Sequence, residues 1–227
     1  MLQRKIEKFL QTWKRVPKHN PLVVKGCRHC GKTTSILDFA RKEYAHVVYL
    51  NFLEKPDYAA IFQDSLDVNY LVMLITALVG PEAVFEPYRT VLVLDEIQEC
   101  PEARAALKAF KLDGRYDVIA AGSLLGVKGY GKEPAPIAVG CETVVNMVPL
   151  DFEEFLWANG ITTPVLDMLH QSLDRETPVP EALHLRLNEL LRQYVLVGGM
   201  PAVVEEYVRS HDLQKVLEMQ QKILQDY

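Results

Sequence analysis

Residues 26–33 read Gly26, Cys27, Arg28, His29, Cys30, Gly31, Lys32 and Thr33, which satisfies G-x-x-x-x-G-K-[ST] at every required position. Each fixed residue has a physical task in holding phosphate. Gly26 and Gly31 permit backbone conformations and close approaches that a Cβ would block. Consecutive N–H groups, up to Thr34 in the first turn of a following helix, can then point at phosphate oxygens, helped by the positive end of that helix. Lys32 adds a point charge near the terminal phosphates, and the Thr33 hydroxyl is a hard oxygen of the kind that ligates Mg²⁺ there. A second group completes the chemistry. The apolar run from Thr90 ends in Asp95 and Glu96. Asp95 is the candidate to hold Mg²⁺, through water, and Glu96 the candidate general base that polarises an attacking water. Side by side, the two groups point to binding and hydrolysis of a nucleoside triphosphate.

Such groups work only if the chain around them holds them in place. Residues 22–25 form a short apolar, β-branched run that stops at Gly26, and helical spacing resumes from Lys32 through Ile36, Phe39 and Ala40. This is the strand, loop and helix that the phosphate motif requires. Residues 46–52 and 90–94 read as a second and third strand, the latter fully apolar as a buried parallel strand should be. Residues 116–121 and 143–148 read as a fourth and fifth. Helices fill the intervals: residues 2–13 before Pro17, about 58–79 with a break near Asp67, and one that Pro101 opens and that runs to about Leu112. Strands alternating with helices at this spacing predict a parallel α/β sheet with right-handed crossovers.

Residues 124–140 carry Gly126, Gly129, Gly131, Pro134 and Pro136 with Lys128 and Lys132, and read as a long surface loop. Beyond it the character of the chain changes. Asp151 and Glu154 form a capping-box pattern, and everything that follows reads helical. Leu183, Leu187, Leu190, Leu191 and Tyr194 make one apolar stripe, and Leu213, Val216, Leu217, Ile223 and Leu224 another. Gly198 to Pro201 reads as a tight turn between two helices or, alternatively, a hinge. The expected division is an α/β domain over residues 1–149 and a small helical subdomain over 150–227. The last stripe is still running at Tyr227, which predicts that the chain continues in a longer protein.

Composition narrows the partners. With 49% hydrophobic and 24% charged residues in 227, the chain is of ordinary globular type, and a formal net charge of −5 supplies no general attraction for nucleic acid or anionic lipid. Charged residues interrupt the first ten positions, against a secretory signal. The longest mostly apolar run, residues 70–79, is too short to span a bilayer and suits a buried helix. Four cysteines make no dense disulfide framework. A cytoplasmic protein with free thiols, and no membrane as partner, is expected.

One strand, residues 46–52, intervenes between the phosphate-loop helix and the Asp95 strand. This resembles the additional-strand class of P-loop ATPases, RecA-like and AAA-type, more than the nucleotide kinases. The resemblance implies that the fourth strand delivers a polar residue sensing the terminal phosphate, for which Ser123 is the candidate; the bland reading of Gly122 and Ser123 is a turn after a strand. Five stretches, residues 21–34, 94–100, 114–126, 151–160 and 194–203, resemble in order a family of prokaryotic AAA-type ATPases. That family implies a P-loop NTPase sheet with flanking helices, a helical subdomain, ATP and Mg²⁺ as ligands, and commonly a further C-terminal domain. Two departures stand out. The usual loop interior Ala-Arg-Gln-Val is here Cys27, Arg28, His29 and Cys30, and where many relatives have Gly-Arg or Gly-Lys before the fifth strand this chain has Gly140 and Cys141, which argues against an arginine-type sensor there.

The remaining signals have alternatives. Cys27 and Cys30 are small side chains facing away from the phosphates or, less simply, a redox pair; a zinc site with His29 lacks a second pair of ligands. Arg104 and Arg115 reach nucleotide or a neighbouring subunit, or form surface ion pairs. No Asn-Lys-x-Asp sequence occurs, which by comparison with the GTPase pattern favours ATP over GTP. The expected protein is an Mg²⁺-dependent ATPase, slow without a partner, whose nucleotide state moves the helical part for a protein or nucleic-acid client. A nucleotide-gated switch with little turnover is the rival, and a kinase is disfavoured by adjacent Asp95 and Glu96. Oligomeric state is not legible.

Overall fold

A computed structural model describes residues 2–123 and 140–226. The chain divides into two compact units, residues 6–147 and residues 1–5 with 148–227. In the first unit, β1 (Leu22–Gly26), β2 (His46–Asn51), β3 (Thr90–Asp95), β4 (Asp117–Ser123) and β5 (Thr143–Met147) form a parallel sheet in the order β2-β3-β4-β1-β5. β4 therefore lies between β1 and β3, as the additional-strand reading requires.

Successive side chains of a strand point to opposite faces, and here both faces are covered. On one side Leu22, Val24, Val91, Val93 and Ile119 pack with Leu10 and Trp13 of α1 (Lys5–Arg15) and with Ile36 and Phe39 of α2 (Lys32–Glu43). On the other, Val23, Leu92, Leu94, Val118 and Ala120 pack with Leu71 and Ile75 of α3 (Val68–Val79) and with Leu107 and Phe110 of α4 (Pro101–Asp113). Burial on both sides is why β3 carries an unbroken apolar run.

Local chemistry sets the element ends. The break near Asp67 is the start of α3, where the Asp67 carboxylate accepts from Tyr70 N–H at 3.0 Å; a 3₁₀ helix, Pro56–Phe62, precedes it. Pro101 opens α4. α3 differs from expectation in one respect. It buries Val68, Leu71 and Ile75, but Met73 and Leu78 are more than half exposed, because only one face of the helix meets the sheet. β4 also runs two residues further than its sequence pattern: Gly122 pairs with Lys25 and Ser123 with Gly26, so Ser123 ends a strand instead of lying in a turn. Of the expected surface loop, residues 124–139 lie outside the described residues.

In the second unit α5 (Phe152–Ala158), α6 (Thr163–Asp174), α7 (Glu181–Val197), α8 (Pro201–Ser210) and α9 (Leu213–Gln225) gather around Leu150, Phe155, Leu190, Val203, Val204 and Tyr207. The capping box at Asp151 and Glu154 is formed in both directions. Gly198 and Gly199 separate α7 from α8, and a Cβ on Gly199 would lie 2.2 Å from the Leu150 carbonyl oxygen. The two apolar stripes are narrower than the sequence suggests. Leu190, Val216 and, partly, Ile223 face the core, whereas Leu191, Leu213, Leu217 and Leu224 are exposed on the flanks. No described helix is long and apolar enough to cross a membrane.

Candidate functional site

Gly26, Asp95 and Ser123 stand at the C-terminal ends of three adjacent strands, β1, β3 and β4. This is the edge at which open parallel sheets bind ligands. The loop leaving β1 is shaped by its glycines. A Cβ on Gly26 would sit 2.3 Å from the Met147 carbonyl oxygen and 2.9 Å from Cys30 Sγ, and Gly31 has φ +92°. His29 also takes a left-handed conformation, φ +60°, which histidine tolerates better than most residues. Gly31 precedes α2, and no side chain caps that helix end. Its first N–H groups are therefore donors without an intrahelical partner, the arrangement suited to an anion.

Lys32 is buried, with Nζ donating to the carbonyls of Gly26 at 3.0 Å and Cys27 at 2.8 Å, which fixes the ammonium against the loop. Thr33 Oγ1 donates to Asp95 Oδ2 at 2.7 Å. The structure thus brings together two residues that lie 62 positions apart in sequence. Thr34 is exposed in the first turn of α2, and Arg28 and His29 are exposed in the loop. Cys30 is buried, its thiol directed at the Met147 carbonyl 3.7 Å away, and Cys27 is half-buried; all four thiols are free.

Two polar residues at the end of β2 belong to the same site, and sequence reasoning did not single them out. Tyr49 OH donates to Asp95 Oδ2 at 2.8 Å and accepts from Asn51 Nδ2 at 3.1 Å. Burial, and after it the facing Asp95 carboxylate, push the Tyr49 phenol well above its ordinary range, so it stays a donor. Asp95 Oδ1 accepts from Glu96 N–H at 3.0 Å. The buried Asp95 carboxylate is therefore held by three donors from three segments. The available signal was that β2, like β1 and β3, ends in polar residues at the sheet edge where ligands bind.

Glu96 has φ +52° and ψ +45°, a left-handed backbone that a non-glycine residue adopts only when its surroundings impose it. It opens the 3₁₀ turn Ile97–Glu99, and its carboxylate accepts from the Gln98 side chain. Glu96 and Ser123, both expected at the site, are joined through that same Gln98, whose Oε1 accepts from Ser123 N–H at 3.3 Å. The two arginines are engaged elsewhere. Arg104 pairs with Glu142 at 2.7 Å with both side chains largely buried, and Arg115 pairs with Asp113 at 2.7 Å.

The arrangement fits a nucleotide and a hard cation. The loop can lie against the end of β5 only because residue 26 lacks a side chain. Among the described residues no group of three or more His, Cys, Asp or Glu could hold a metal by itself. Thr33 and Asp95 would hold Mg²⁺ together with phosphate and water, the ligand set that this ion favours.

A family model described as an AAA domain matches residues 18–156. Among solved structures the chain is similar to a Walker-type ATPase of Pyrococcus abyssi, with 15% identity and a TM-score of 0.51, covering 99% of this chain and 72% of that one. It is also similar to AMPPCP-bound DnaA from Aquifex aeolicus, with 14% identity and a TM-score of 0.52, covering 96% of this chain and 65% of that one. At these identities the likeness is one of fold. No curated protein sequence matches the chain.

Proposed function

We propose that this chain, which belongs to the AAA domain family, binds ATP with Mg²⁺ and hydrolyses it. The observation that carries the reading is the convergence of Lys32, Thr33 and Asp95, with Thr33 Oγ1 2.7 Å from Asp95 Oδ2, beside a loop that only glycine at position 26 can form.

In this reading the N–H groups of residues 27–34 cradle the phosphates, with Gly26 and Gly31 giving them access. Lys32 exchanges its carbonyl partners for phosphate oxygens. Thr33 and Asp95 hold Mg²⁺, which neutralises charge developing on the phosphates. Glu96 accepts a proton from the attacking water and Ser123 meets the terminal phosphate at the end of β4. Nucleotide state is coupled to the helical unit and through it to a protein or nucleic-acid client, in the cytoplasm, with turnover slow until that client is engaged. The exact work done is a property of the client, since fold does not specify it.

The test is ATP hydrolysis and nucleotide affinity for wild type, Lys32→Ala and Glu96→Gln. Lys32→Ala should lose nucleotide affinity, whereas Glu96→Gln should bind and fail to turn over. Tight binding by wild type with turnover no faster than Glu96→Gln would replace the ATPase by a nucleotide-gated switch, and undetectable binding by wild type would overturn both.

A further inference from the structure

Gln98 touches both Glu96 and the end of β4. Its amide donates to Glu96 Oε2 and accepts from Ser123 N–H at 3.3 Å. The orientation of the amide is determined by its neighbours. A carboxylate can only accept and a backbone N–H can only donate, so the nitrogen must face Glu96 and the oxygen must face Ser123. Neither interaction can survive a flip of the group. The stem is equally constrained. Gln98 lies in the 3₁₀ turn Ile97–Glu99, anchored by buried Ile97 and closed by Glu99 N–H to the Glu96 carbonyl at 2.9 Å and by Cys100 N–H to the Ile97 carbonyl at 3.1 Å.

We infer that Gln98 is a positioning residue for hydrolysis: its amide fixes the Glu96 carboxylate and ties it to the backbone of Ser123. This rests on the ATPase reading above. A carboxylate on a flexible stem loses rotamer freedom when it must face one water; the Gln98 donor supplies that restraint from a rigid turn. Because the second half of the amide sits on Ser123, a shift of the β4 end reaches Glu96 through a single side chain. Ser123 stands at the edge where the terminal phosphate would lie, so the base and the sensing strand end respond together.

A purely structural role, stitching the turn to β4, makes a different prediction, and two variants separate them. Gln98→Met keeps the volume and loses both hydrogen bonds. Gln98→Glu keeps the acceptor toward Ser123 N–H but replaces the donor toward Glu96 by a second carboxylate that repels it. Both should lower kcat by about tenfold or more, as loss of a hydrogen bond to a charged group implies, with ATP Kd within about twofold of wild type. A turn that had merely come loose would weaken ATP binding along with kcat, so the split between kcat and Kd separates positioning from stitching. Wild-type kcat in either variant, beside an inactive Glu96→Gln, would overturn the inference while leaving the ATPase reading standing. So would a loss of ATP affinity as large as the loss of kcat in both variants. Wild-type turnover no faster than Glu96→Gln would overturn both.

Discussion

Thr33 Oγ1 donates to Asp95 Oδ2 across 2.7 Å, so the first turn of α2 and the last residue of β3 share one hydrogen bond. The same oxygen accepts from Tyr49 at the end of β2. Three elements thus converge on one carboxylate oxygen. An oxygen so held cannot swing, and its charge stays aimed at the space in front of the loop.

Asp95→Asn keeps the side chain's volume, removes its charge and turns one of its two accepting oxygens into a donor. If Asp95 holds Mg²⁺ through water, nucleotide affinity in the presence of Mg²⁺ should fall by about 10- to 100-fold, the usual effect of losing an outer partner of a metal. Affinity measured in chelator should change little. Calorimetric titration with and without Mg²⁺ checks this, and an unchanged Mg²⁺ dependence would remove Asp95 from the cation site.

Gly26→Ala places a methyl group 2.3 Å from the Met147 carbonyl and 2.9 Å from Cys30 Sγ. The thiol can move, but the carbonyl belongs to β5, which is paired with β1 at that residue. Destabilisation of about 1–3 kcal/mol is expected from overpacking, together with loss of nucleotide binding because the loop must shift outward. Denaturant unfolding and nucleotide titration of the same variant read the two effects separately. A variant that is as stable as wild type and still binds would show that the loop does not need glycine there.

His19 couples stability to pH at the opposite end of the strands, where β4 begins. Its Nδ1 faces the Val16 carbonyl at 2.9 Å and its Nε2 lies 3.1 Å from Asp117 Oδ1, while Tyr44 OH donates to the other Asp117 oxygen at 2.6 Å. Burial opposes the charged ring, but Asp117 and the Val16 carbonyl outweigh it and raise the His19 pKa. A raised folded-state pKa adds stability that is fully present below the unfolded value, about 6.5, and is lost as pH rises through the folded value. Tm should therefore decline as pH rises above about 6.5, and this part of the decline should vanish in His19→Gln. An identical pH slope in the variant would refute the assignment.

Arg4 and Glu154 form an ion pair with Nε 3.1 Å from Oε1 and side chains only 6% and 5% exposed. Arg4 also donates to the Val148 carbonyl, and Glu154 accepts from the backbone of Lys5 and Asp151. Removing one partner leaves the other charge buried, so Arg4→Met should destabilise the helical unit by about 3–5 kcal/mol. The double variant Arg4→Met with Glu154→Gln should recover part of that loss. Hydrogen exchange of α5, α7 and α8 in each variant reads the unit directly, and simple additivity of the two changes would contradict a coupled pair.

What the sequence by itself determined is what is local in the chain. The phosphate loop is eight consecutive residues, and its glycines, lysine and threonine are legible because each answers a requirement of backbone or charge within the loop. The buried strands show as apolar runs, the Asp151–Glu154 box and Pro101 mark helix starts through features within a few residues, and the sequence shows a break near Asp67 that the structure resolves as the cap of α3. The tertiary structure alone decided how much of each apolar stripe is covered. Periodicity identified Leu213, Leu217 and Leu224 as apolar, but the flanks of α9 lie outside the core, so these side chains are exposed. It also decided who joins the motif residues. Tyr49 reaches Asp95, and Gln98 reaches Ser123, only because the strand order β2-β3-β4-β1-β5 sets β2 beside β3 and β3 beside β4. Such contacts arise from the pairing of distant strands, and no spacing along the chain records which strand will stand beside which.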